Sequence, residues 1–167
     1  MVVQARERLP YERALRVIGR HLDAEPAYHV SVLESADGFT VRSQAVRHRS
    51  KARVELFSWE TLYSIDVLHT AGRYTPGRRQ RHRGLWSNLP TGHQDFFRAL
   101  GFELDREAAA SVTIDELPEG LSVTYMRPTE HEPAFWMKCH RVYEREDIEQ
   151  LLSEAQGRRG TSVASAS

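Results

Sequence analysis

The chain has 167 residues, 40% hydrophobic and 28% charged, with 23 Lys and Arg balanced by 23 Asp and Glu. That composition is that of a globular protein: it excludes a chain disordered along its whole length, and no apolar run approaches the roughly 20 residues needed to cross a bilayer. A single cysteine, Cys139, excludes an intramolecular disulfide and gives no sign of an oxidising compartment.

The first residues, MVVQARERLPYERALRV, are broken by Arg6, Glu7, Arg8, Glu12 and Arg13, unlike the apolar stretch of a secretory signal. The expected location is therefore cytoplasmic, with no membrane partner. Tyr11, Ala14, Leu15, Ile18 and Leu22 form one apolar stripe at helical spacing, which predicts a helix from about Pro10 to Leu22. Tyr28, Val30 and Val32 then alternate with polar neighbours, as do Phe39 and Val41. The two runs make a hairpin in which Gly38 supplies a positive φ. After a basic connection, RHRSKAR, a third strand is expected at about Arg53 to Phe57. Ser58 is expected to cap a helix ending at Gly72.

A loop, GRYTPGRRQRHRGLW, follows. Beyond it GHQDFFRALGFEL reads as a helix with Phe96, Phe97 and Leu100 on one face, and SVTIDELPEGLSVTY as a hairpin turning at Leu117 to Gly120. A further strand is expected from about Ala134. A last helix should run from about Glu144 to Gln156, burying Ile148, Leu151 and Leu152 and stopping at Gly157. The tail at 158–167 is small and polar and is expected to be mobile.

The same order thus occurs twice. Shifting the sequence by 82 places aligns the segment from Arg13 with that from Asp95 without a gap. Identical pairs include Arg16 with Arg98, Gly19 with Gly101, Leu22 with Leu104, Asp23 with Asp105, Glu25 with Glu107, Val30 with Val112, Glu34 with Glu116, Gly38 with Gly120 and Val41 with Val123. The expected fold class is α+β: two diverged α-β-β-β-α repeats, their antiparallel sheet or sheets covered by helices on one face, related by a pseudo-twofold. The first repeat with its linker spans 1–83 and the second 84–157, expected to form one compact unit.

Charge is unevenly spread. Residues 42–83 carry ten basic against three acidic groups, whereas 84–167 carry eight against fourteen. Arg73, Arg78, Arg79, Arg81 and Arg83 stand with Tyr74 and Trp86 in the loop between the repeats, and Arg47, Arg49, Lys51 and Arg53 in the earlier basic connection. Guanidinium groups bind phosphate bidentately and aromatic rings stack on bases, so this pattern points to nucleic acid or another polyanion. The bland alternative is a solvated linker: 21 of the 23 basic residues are Arg, a chain-wide bias that discounts any single one. A second reading is a homodimer pairing the basic copy of one chain with the acidic copy of another. A third is a small enzyme with a cleft between the copies.

For catalysis or metal binding the pattern offers little. Cys139 and His140 are adjacent on an expected strand and so point to opposite faces, and His131 lies apart from them. No Walker A, GxGxxG, GxSxG or HExxH motif is present. No catalytic residue, metal or cofactor is expected. Phe135, Trp136 and Met137 form an apolar run of which at least one member must face away from the core.

Overall fold

A computed structural model describes residues 9–24, 27–50, 53–72 and 92–164. In chain order the elements are α1 (Tyr11–Ala24), β1 (Tyr28–Ser35), β2 (Gly38–Ser50), β3 (Arg53–Ser64), α2 (Ile65–Gly72), α3 (His93–Arg106), β4 (Ala110–Leu117), β5 (Gly120–Pro128), β6 (Trp136–Glu144) and α4 (Arg145–Ala164). The fold is α+β. All six strands join in one antiparallel sheet, ordered β3-β2-β1-β4-β5-β6.

Strand alternation assigns the faces. Val30, Val32, Phe39, Val41, Tyr63, Val112, Ile114, Leu121, Val123 and Tyr125 are buried on one side, while Leu33, Arg42, Leu62 and Val142 are exposed on the other. The helices α1 and α3 cover the buried side. The Tyr11 ring meets Phe39 edge-on at 6.2 Å, and Phe96 meets Tyr143 at 6.0 Å. The buried stripe foreseen on α1 is present, with Tyr11, Ala14, Leu15, Ile18 and Leu22 almost fully enclosed.

The centre of the sheet is the β1–β4 pairing, where Val32 lies opposite Ile114, flanked by Ser31 with Asp115 and Leu33 with Thr113. Outside those three pairs a bulge interrupts each strand, at His29 (φ 51°) and at Ser111 (φ 55°). A bulge leaves an N–H without a ladder partner. Here carboxylates take over: Glu116 accepts from the Val30 N–H at 2.9 Å, and Glu34 from the Val112 N–H at 2.8 Å.

Above this pairing α1 and α3 are in near contact. A Cβ on Gly19 would lie 2.7 Å from the Gln94 Cα, and one on Gly101 would lie 2.6 Å from the Glu12 nitrogen. Each helix also caps the other. Asp23 accepts from the His93 and Gln94 N–H groups at 2.7 and 3.0 Å, and Asp105 accepts from those of Tyr11 and Glu12 at 2.8 and 3.0 Å. Two aspartates therefore satisfy N–H groups that a helix start leaves unpaired.

Three boundaries differ from the sequence expectation. The third strand does not end at Phe57: it runs to Ser64, because Thr61 and Tyr63 continue the alternation opposite Val41 and Phe39, and Tyr63 is buried. The cap of α2 is accordingly Ser64, whose hydroxyl accepts the Val67 N–H at 3.3 Å, and not Ser58. The last helix does not stop at Gly157 but continues to Ala164. Arg158 anchors the added turns, stacking 4.2 Å from the Phe102 ring and donating to Glu103 at 3.1 Å. No helix among the described residues is long and apolar enough to cross a membrane.

Candidate nucleic-acid interface

The basic connection read between the second and third strands is itself mostly strand. β1 accompanies β2 only as far as Gln44, which lies opposite Tyr28. Beyond Gln44, among the described residues, β2 pairs with β3 alone, through Ala45 with Phe57, Arg47 with Glu55, His48 with Val54 and Ser50 with Arg53. At about 3.3 Å per residue the six residues after Gln44 carry this two-stranded ribbon roughly 20 Å past the neighbouring strand. Arg47, Arg49 and Arg53 are ribbon positions, and the register shifts once, between His48 and Ser50. Lys51 lies outside the described residues.

The other half shows no such extension. β5 ends at Pro128, opposite Trp136, soon after its last β4 partner at Met126. Proline has no N–H to carry a ladder further, so the strand terminates there. The ribbon is therefore confined to the basic part of the chain.

Arg73, Tyr74, Arg78, Arg79, Arg81, Arg83 and Trp86 belong to 73–91, outside the described residues. The chain is next described at Gly92. Gly92 sits against Asp23, whose carboxylate receives the first two N–H groups of α3. Asp23 precedes Tyr28 by five residues, and Tyr28 pairs at the ribbon's base. Five residues reach at most about 18 Å, so Asp23, against which Gly92 sits, lies within that distance of the ribbon base.

Several charged groups off the ribbon are paired. Arg42 pairs with Glu60 across the open face of the sheet, and Arg98 bonds Glu12 at 2.9 Å. Glu107 accepts the Tyr125 hydroxyl at 2.7 Å and pairs with Arg141 at 2.7 Å. Burial, reinforced by that hydrogen bond to Glu107, raises the Tyr125 pKa well above the ordinary phenol value. This cluster, held between β5, β6 and the end of α3, was not read from the sequence; the identity of Glu107 with Glu25 was its one trace.

Cys139 packs against the core, whereas His140 turns to the open face, its Nε2 2.8 Å from the Ser122 hydroxyl. The two therefore do not converge. Among the described residues no group of three or more His, Cys, Asp or Glu side chains is arranged to hold a metal ion. Between the halves α1 and α3 approach closely around Gly19 and Gly101. Comparison with protein-family models, with curated proteins and with solved structures finds no match for this chain.

Proposed function

We propose that this chain is a non-enzymatic binding module that contacts nucleic acid or another polyanion through its basic, Arg-rich middle segment, with the β2–β3 ribbon reaching the ligand. The observation that carries the reading is the ribbon's departure from the sheet, with Arg47, Arg49 and Arg53 around its end. A two-stranded β-ribbon is narrow enough to enter the major groove of a duplex. Arginine forks match phosphate oxygens bidentately. The linker arginines, Arg73, Arg78, Arg79, Arg81 and Arg83, with Tyr74 and Trp86, extend the same surface in this proposal.

The test is anisotropy of a labelled duplex, a single-stranded RNA and heparin, titrated at two salt concentrations. Replacing Arg47, Arg49, Lys51 and Arg53 by Ala is expected to flatten the salt slope by about one unit per lost phosphate contact, and to weaken binding to every sequence alike. Unchanged low-salt affinity in that variant, and in one with Arg78, Arg79, Arg81 and Arg83 all replaced by Ala, sinks the proposal.

We infer in addition that the two halves are diverged copies joined about a pseudo-twofold. What supports this is the recurrence of contacts at the 82-residue offset. Val32 pairs with Ile114, its own counterpart, and the caps by Asp23 and Asp105, the carboxylate bonds of Glu116 and Glu34, the bulges at His29 and Ser111, and the close glycines all correspond in this way. An isologous joint has this property: every contact appears twice with the partners exchanged. On this reading the ribbon is what one copy gained after the copies diverged.

A further inference from the structure

We propose that β6 is a self-complementary docking edge on which a second copy of this chain adds its own β6, antiparallel, continuing the sheet from one molecule into the next. The surface is separate from the ribbon, and the inference does not rest on the polyanion reading.

β6 closes one side of the sheet, with no strand beyond it among the described residues. It pairs with β5 through nine successive positions, Gly120 with Glu144 to Pro128 with Trp136, without a bulge. It also contains no proline. Long, regular edges of this kind are templates for strand addition, and natural proteins usually blunt them. The opposite edge, β3, has a register shift in its pairing near the ribbon tip. β6 instead begins with exposed apolar groups: Phe135, Trp136 and Met137 are 63%, 50% and 41% exposed, and Val142 further along is 47% exposed. Val142 falls within the span that the pairing derived below covers, while Phe135, Trp136 and Met137 lie at its rim; exposed apolar groups of this size mark contact surfaces.

Charge selects the occupant. In a continuous sheet, facing residues lie on the same side, so a two-fold pairing of β6 with itself must set each residue opposite one of the same parity. Of the central registers, an axis at Cys139 brings Lys138 against His140, and one at His140 brings that residue against itself. With the axis at Arg141, Lys138 faces Glu144 twice and His140 faces Val142 twice. Opposite charges across a strand pair are favourable and like charges are not. The remaining like pair is Arg141 with its copy, and each Arg141 already holds Glu107 at 2.7 Å. The register with its axis at Arg141 thus joins two β6 edges with compensated charge, which a neutral or purely acidic extended peptide would not achieve.

The experiment is sedimentation equilibrium of the full chain from roughly 1 to 100 µM, comparing the native protein with Lys138→Glu and with the double exchange Lys138→Glu/Glu144→Lys. The native chain should dimerise. Lys138→Glu, which turns both facing pairs into like charges, should raise the dissociation constant roughly tenfold. The double exchange should restore it. Circular dichroism and Tm close to native in all three show that only the edge has changed. Replacing Arg47, Arg49 and Arg53 by Ala should leave this dimer unaffected, which distinguishes it from one that docks basic halves on acidic halves. A native chain that stays monomeric across the range, or a double exchange that dissociates like Lys138→Glu, overturns the proposal.

Discussion

Gly19 and Gly101 carry the close approach of α1 and α3. At either position a methyl group would press on backbone atoms of the facing helix, not on a side chain that can swing aside. Overpacking of this kind costs about 1–3 kcal/mol. Gly19→Ala and Gly101→Ala should each destabilise by that order, and by similar amounts, in urea unfolding. A large difference between the two would count against the proposed pseudo-twofold. Asp23 adds a pH dependence. Burial alone opposes its charge, but hydrogen bonds from the His93 ring and from the Gln94 and His93 N–H groups outweigh burial and hold the carboxyl below its ordinary value of 3.8. Its contribution is therefore complete above that value and is lost as pH falls through the lower, folded one. Asp23→Asn should cost about 1 kcal/mol at neutral pH, as a lost cap does. The gap from native should narrow in unfolding measured at progressively more acid pH. Pair geometry also explains an asymmetry of size: buried Ser43 faces Trp59 across β2 and β3, whereas Tyr125 faces Cys139 across β5 and β6.

Among elements, α1, α3 and the two hairpins were legible in the sequence, because a stripe at helical spacing followed by alternation at period two has one reading. What was hidden had physical reasons. RHRSKAR has no apolar alternation, and its strand character comes from the backbone ladder between β2 and β3, which leaves no hydrophobic signature. SWETLYS combines a good cap with an acidic residue in a first turn, so local chemistry favoured a helix; the pairing of Thr61 with Val41 and Tyr63 with Phe39 prevailed. Gly157 reads as a stop, yet it stands in open space, where a glycine only weakens a helix, and Arg158 compensates through Phe102 and Glu103. The ribbon carries its own element-scale expectation. Since it projects beyond β1, the substitutions that test binding should shift unfolding free energy by no more than about 0.5 kcal/mol. A loss of fold in those variants would mean the ribbon is structural.

At the scale of the whole molecule the candidate site was only partly visible: Arg47, Arg49, Lys51 and Arg53 were identified by charge, but as a connection and not as an arm. Their placement depends on strand lengths that composition does not encode. The two halves are bound through one central strand pair and one helix pair, each half completing the other's hydrogen bonds. With no independent core to fall back on, they should unfold together. Circular dichroism and Trp fluorescence should give coincident urea transitions. A separate transition for either half would contradict so interdependent a joint.

That interdependence also bears on synthesis. Translation delivers 9–72 before any of α3 exists, and Asp105, which secures the start of α1, arrives 33 residues later. At ordinary elongation rates of about 5–20 residues per second, the wait is roughly 2–7 s. For that interval β1, destined for the middle of the sheet, is an outer strand with no β4 beside it. The nascent chain is thus most open to chaperones, or to a wrong partner, along the line that ends as the best protected in the finished protein.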